Sequence, residues 1–277
     1  MDKLTLAYSP CPNDTYIFAA WSNGMLDGKP EVRVHLEDVE SLNHSALKAD
    51  HTLTKVSYGA IPLLMEKYRI LRTGGALGSG CGPLLIARPG TGSTLEEFAD
   101  KIVAIPGEMT TAFMLLRLAM NRRPQTIQMR FDRIVDAVAS GTVDAGLIIH
   151  ESRFTYQDAG LVKIVDLGEW WESRTGMPIP LGAILARKDL DDDDARAAND
   201  AIRSSLQYAR EREADVMPYV REHAFEMSEQ VMRKHIDLYV NEYSEDVRED
   251  GIAAVNELFR RAHQAGIITK GAQAEFV

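Results

Sequence analysis

Through its first two-thirds the chain alternates short apolar runs with helix-period segments, and no other feature narrows its possible folds so far. Leu4–Tyr8, Val32–Leu36, Leu53–Val56, Ile102–Ile105 and Ala145–Ile149 read as strands. Between and after them, Asp14–Asn23 (closed by Gly24), Ser41–Ala49, Tyr58–Tyr68, Thr111–Asn121 and Asp132–Ser140 carry helical patterns. That alternation predicts an α/β protein. After Leu190 the rhythm changes. From Ala195 to the C-terminus the chain is almost continuous amphipathic helix, interrupted near Met217-Pro218, Ser244 and Gly266.

Two segments suggest how such a chain divides. Pro83-Leu-Leu-Ile-Ala-Arg88 and Pro180-Leu-Gly-Ala-Ile-Leu-Ala-Arg187 are both apolar strands opened by Pro-Leu and closed by Ala-Arg. They bracket about a hundred residues, the size of one small α/β domain. The expectation is a discontinuous first lobe, 1–88 plus 188–277, with a second lobe, 89–187, inserted into it. The alternative is two unrelated strands of one sheet. Two lobes would leave a cleft between them, the usual place for a small-molecule site.

Composition removes several classes of partner. The 277 residues carry 31 Lys and Arg against 41 Asp and Glu, a formal net charge of −10. An acidic chain lacks the clustered cations that nucleic acid or an anionic membrane requires, while a small anionic ligand stays compatible with a local field. Cys11 and Cys81, outside any CxxC or Cys/His pair, imply neither a disulfide framework nor a zinc site. The N-terminal stretch lacks the apolar run of roughly 7–15 residues that a secretory signal needs. No segment approaches the roughly 20 apolar residues of a membrane span. The expected protein is soluble and cytoplasmic, and its sequence does not choose between monomer and dimer.

Chemistry gathers at strand ends. The glycine run Gly74–Pro83 is neither a phosphate loop nor a dinucleotide fingerprint, since it leads into a strand rather than a helix. It serves as a hinge, or as backbone that approaches a ligand closely. Three junctions say more: Tyr8-Ser-Pro-Cys-Pro-Asn-Asp-Thr15, with Asn13 as a helix cap; Thr54-Lys-Val-Ser-Tyr58, with Ser57 where strand gives way to helix; and Ile105–Ala112, with Thr110 or Thr111 as cap. In an open α/β sheet such junctions collect where ligands bind, and a helix N-terminus favours an anion. Each alone reads as an ordinary cap; three together, with Lys55 beside one, point to a carboxylate-binding cleft. His150, closing the apolar run Val143–Ile149, is placed to move a proton near neutral pH. Its ordinary alternative is a structural histidine at a strand end. Glu151 and Arg153 are its orienting partners or solvated loop charges, and Trp170-Trp171 lines a pocket or packs the interior. The other six histidines, His35, His44, His51, His223, His235 and His263, read as surface residues.

Read in order, Ser9-Pro-Cys-Pro-Asn-Asp14, Lys55-Val-Ser-Tyr-Gly-Ala60, Gly80-Cys-Gly-Pro83, Pro106-Gly107 with Thr110-Thr111, and Gly146-Leu-Ile-Ile-His-Glu151 resemble the 1,4-dihydroxy-6-naphthoate synthase family of the futalosine route to menaquinone. The resemblance runs over essentially the whole chain. It implies a two-lobed fold of the periplasmic-binding-protein type (type 2), recruited to catalysis, with a ligand cleft and the helical C-terminal third. It implies a carbon–carbon lyase that cleaves cyclic dehypoxanthine futalosine to 1,4-dihydroxy-6-naphthoate and dihydroxyacetone. By position, His150 becomes the proton acceptor, and Lys55, Val56, Ser57, Thr110 and Thr111 fall in substrate-binding segments. No cofactor or metal is expected. Rival readings are the chorismate dehydratase of the same pathway and a non-catalytic module that binds a small anion.

Overall fold

The structure, a computed structural model, describes residues 4–225, 228–269 and 271–277. Five strands in succession enter one sheet: β1 (Leu4–Tyr8), β2 (Val32–Leu36), β3 (Leu53–Ser57), β4 (Tyr68–Ile70) and β5 (Ala76–Gly78). The next five form another: β6 (Leu84–Ala87), β7 (Ile102–Ile105), β8 (Gln125–Gln128), β9 (Ala145–Ile148) and β10 (Val162–Asp166). β11 (Ile179–Arg187) then returns to the first sheet. The first sheet runs β2-β1-β3-β11-β4, with β5 pairing to β11; the second runs β10-β6-β9-β7-β8. β1 is parallel to β2 and β3, and β7 to β8 and β9, while β11 and β6 lie antiparallel to their neighbours. Two interleaved crossings between two sheets make the molecule two-lobed.

The crossings are displaced from the bounds expected at 88 and 187. Leu84–Ala87 hydrogen-bonds in the second sheet, against β9 and β10, and Ile179–Arg187 in the first, against β3, β4 and β5. Apolar composition marks both segments as buried strands but leaves the choice of sheet to their ladder partners. Where the chain crosses, Gly82 and Gly168 meet so closely that a Cβ on either would overlap the other's backbone.

Two local expectations also give way. Tyr58–Tyr68 is not a helix: it holds a single 3₁₀ turn at Ile61–Leu63 before β4. Pro62 has no amide to donate, and Tyr68–Ile70 is drawn into ladder pairing with Leu185–Arg187 instead. The first helix spans Pro12–Ser22 with Cys11 at the N-cap and no side-chain cap, so Asn13 lies inside the first turn. Pro12 explains the early start, because its fixed φ suits the first helical position.

The C-terminal third is helical, as expected, and it covers the first sheet. Asp192–Glu211, with Asp191 as its cap, lies on the Pro12–Ser22 helix, where Ile202 and Leu206 join Ile17 and Phe18 in one buried cluster. Glu229–Tyr239 packs there too, through Met232 and Ile236. Trp171 is fully buried, its indole N–H donating to the Pro178 carbonyl at 3.0 Å, which settles the Trp pair's second member as packing. No helix among the described residues is long and apolar enough to cross a membrane.

Candidate active site

The ends of β1 and β3 in one lobe face the ends of β7 and β9 in the other. Between them lies a cavity of about 660 Å³, counting its open mouth. Lys55, Val56, Ser57, Thr110, Thr111 and His150 all line it, so the fold brings every candidate together.

The first-lobe wall is a buried polar network. The Lys55 ammonium donates to Asp14 Oδ1 at 2.7 Å and to the Gly74 carbonyl at 3.2 Å. Ser9 Oγ and Asn13 Nδ2 donate to the same carboxylate at 2.7 and 2.8 Å. Lys55 therefore does not offer a free charge to a ligand; Asp14 already balances it. Ser57 is no helix cap. Its amide donates to Asn43 Oδ1 at 2.9 Å, and Asn43 Nδ2 reaches back to its hydroxyl at 3.3 Å.

The second-lobe wall is a helix N-terminus. Thr110 caps the Thr111–Met120 helix, its Oγ1 accepting from the Phe113 amide at 3.2 Å. Thr111 and Ala112 reach the cavity from the first turn, whose amides have no intrahelical acceptor and whose dipole is positive. Thr111 also ties the lobes: its hydroxyl donates to the Leu181 carbonyl at 2.7 Å and accepts from the Gly59 amide at 3.0 Å. Buried Glu40 does the same from the other side, its Oε1 accepting from the Met109 amide at 3.1 Å.

His150 stands where β9 ends, with φ of +57°. Histidine tolerates that left-handed region better than most residues. Its Nδ1 lies 3.4 Å from Cys11 Sγ, a contact between the lobes, and the Phe131 ring meets it edge-on at 4.9 Å between centroids. Nε2 is buried with no hydrogen-bond partner among the described residues. Burial pushes the imidazole down to about 4, against an opposing pull from Asp14 and Asp38. The ring is neutral at physiological pH, and so is the Cys11 thiol, which burial and then Glu151 raise. Neither neighbour orients the ring. Arg153 turns away, to Asp166 Oδ2 at 2.6 Å and the Gly82 carbonyl at 2.6 Å, and braces the crossing. Glu151 is half-buried, its carboxyl lifted to about 7 by desolvation.

Among the cavity residues that the sequence does not single out are Asp14 and His235. Asp14 was visible only as part of a motif. His235, expected at the surface, is 1% exposed and lines the cavity beside Tyr239. A signal existed: Met232, His235, Ile236 and Tyr239 occupy i, i+3, i+4 and i+7, one helix face.

Comparison with known proteins matches the chain to a family. A family model described as menaquinone biosynthesis covers residues 4–264. A Thermus thermophilus protein named 1,4-dihydroxy-6-naphthoate synthase is 47% identical over 278 residues, covering 100% of both chains. One from Streptomyces coelicolor with the same name is 43% identical over 272 residues, covering 96% of this chain and 95% of its own. The chain belongs to the 1,4-dihydroxy-6-naphthoate synthase family of menaquinone biosynthesis. The name both relatives carry is that of an enzyme, which favours a catalytic cleft over a binding module. A crystal structure of an Archaeoglobus fulgidus protein superposes with a TM-score of 0.89 at 34% identity, covering 96% of this chain and 98% of the other. The alkanesulfonate-binding protein of Xanthomonas axonopodis superposes at 0.77 with 10% identity, covering 99% and 96%. At that identity it shows the fold alone, that of periplasmic binding proteins.

The walls of the cleft approach each other closely at Gly107. A Cβ there would overlap the Glu40 carboxyl group. Gly107→Ala is expected to hold the lobes apart, enlarging the radius of gyration in X-ray scattering and lowering turnover by about 10²-fold, as misplacement of catalytic groups by an ångström does. An unchanged radius with full turnover would show that Glu40 simply moves aside.

Proposed function

We propose that the protein cleaves cyclic dehypoxanthine futalosine to 1,4-dihydroxy-6-naphthoate and dihydroxyacetone, with His150 as general base. One observation carries this reading: a neutral imidazole at the cleft, anchored through Nδ1 on Cys11, with Nε2 unpartnered among the described residues. In the tautomer that carries its proton on Nδ1 and donates it toward the Cys11 sulfur, the Nε2 lone pair is the base. Carbon–carbon cleavage that leaves an aromatic diol needs a base near the breaking bond, and a positioned one contributes about 10²–10⁴-fold.

The substrate is a small anion, and its carboxylate belongs at the N-terminus of the Thr111–Met120 helix, where the amides of Thr111 and Ala112 and the helix dipole favour negative charge. Val56 and Ser57 form the facing wall, and Lys55 holds that wall in place through Asp14. Contacts through Thr111 and Glu40 tie the lobes together beside the cavity, and further closure over bound substrate would keep water from the reacting bond. The acidic surface fits a cytoplasmic enzyme that binds neither nucleic acid nor membrane.

Incubating the purified protein with cyclic dehypoxanthine futalosine is expected to yield the naphthoate, followed by absorbance and mass. Consumption of chorismate in its place would move the chain to the dehydratase of the same route.

A further inference from the structure

His235 has no task in the reaction as drawn above, yet it is 1% exposed, lines the cavity, and has neither ring nitrogen hydrogen-bonded among the described residues. A buried polar group left unmatched destabilises a fold, so such groups persist where something matches them. Its surroundings hold the ring without using its nitrogens. Tyr239 packs on it at 4.6 Å between centroids, Phe154 lies edge-on at 6.3 Å, and the His150 ring stands nearly parallel at 6.3 Å. Asn13 Oδ1, on the cavity wall, is likewise buried and unmatched. Burial and the neighbouring His150 keep the His235 ring uncharged.

We propose that His235 binds the uncharged, hydroxyl-bearing end of the substrate, so that the cavity recognises an anion at one end and a neutral polyol at the other. A neutral imidazole presents one donor and one acceptor, and an amide oxygen accepts. Hydroxyl groups, which both donate and accept, complement that set; a carboxylate or phosphate, which only accepts, meets two lone pairs it cannot use. The anion is provided for elsewhere, at the Thr111–Met120 helix. His235 is thus a specificity-determining contact, opposite in role to the helix N-terminus. The assignment rests on the reaction proposed above, whose substrate has a sugar-derived, hydroxylated part that the aromatic product lacks.

The test compares two ligands. In His235→Phe, which keeps the ring contacts and removes both nitrogens, KM for cyclic dehypoxanthine futalosine is expected to rise about tenfold or more, the loss of a hydrogen bond or two. Affinity for 1,4-dihydroxy-6-naphthoate, measured by calorimetry, is expected to stay within about twofold, since the product lacks the polyol. His235→Gln, with one donor and one acceptor, is expected to recover part of the loss. The melting temperature of His235→Phe without ligand is expected to equal or exceed that of the unsubstituted protein, because an unmatched polar ring has been removed. A purely structural histidine would lower it. Equal loss for both ligands, or no loss for either, overturns the polyol contact while leaving the reaction intact. Failure of the unsubstituted protein to convert the substrate overturns the reaction, and the polyol contact with it.

Discussion

His150→Asn is expected to lower kcat by about 10²–10⁴-fold while leaving substrate affinity nearly unchanged. Asparagine is the informative substitution for two reasons. It tolerates the left-handed backbone that His150 adopts, so the strand end need not rearrange. Its amide also replaces Nδ1 against Cys11 Sγ but has no basic lone pair at the Nε2 position. The unsubstituted protein has a matching pH signature. Because burial pushes His150 down to about 4, the acid limb of kcat/KM is expected near that pH rather than near the ordinary 6.5. Stability moves in the same direction. Between about 4 and 6.5 the unfolded chain binds a proton at this residue that the folded chain does not. Its contribution to stability therefore rises with pH across that window and is lost as pH falls through it. Turnover near the unsubstituted level in the Asn variant would exclude His150 as the base. Loss of binding together with turnover would make the ring a substrate contact instead.

The second large effect concerns stability. Asp14→Asn is expected to destabilise the fold by about 3–5 kcal/mol, because it leaves the Lys55 ammonium, 5% exposed, with only the Gly74 carbonyl and neutral groups around it. For a chain of this size that corresponds to roughly 10 °C in Tm. Removing both charges changes the outcome. The pair Asp14→Leu with Lys55→Met is expected to regain most of the stability, since a buried ion pair is often replaceable by apolar side chains of similar volume. Turnover is not expected to return, because Ser9 and Asn13 lose the carboxylate that holds the cavity wall. A double variant no more stable than Asp14→Asn alone would place the cost in packing rather than in the uncompensated charge.

Much of the fold was legible in order along the chain. β1, β2, β3, β7 and β9 lie within a residue of their apolar runs, and of the two candidate caps, Thr110 and Thr111, it is Thr110 that caps the helix. These are local matters: periodicity, a capping hydroxyl and a proline at a helix start act over a few residues. Ser57, Thr110, Thr111 and His150 are reachable for the same reason, since each stands at a strand end or a helix start, whereas Val56 and the binding role of Lys55, mid-strand in β3, follow only from the family resemblance. Misreadings arose where a distant partner decides. Pro62 was a local warning against a helix over Tyr58–Tyr68, but the pairing of Tyr68–Ile70 with β11 lies more than a hundred residues away in sequence.

The site divides along the same line. From the sequence came the ingredients: an acidic chain, a histidine after a buried strand, threonines at a helix start and a lysine near a strand end. Lobe membership came only from the ladders that Leu84–Ala87 and Ile179–Arg187 join. Tertiary structure also turned Lys55 from a free cation into the partner of Asp14, set Cys11 against His150, and brought His235 from the C-terminal helices into the cavity. The physical reason is common to all four. Spacing along a helix or strand sets which face a side chain shares, whereas burial and pairing depend on which remote surface that face meets, and only the folded packing supplies that surface.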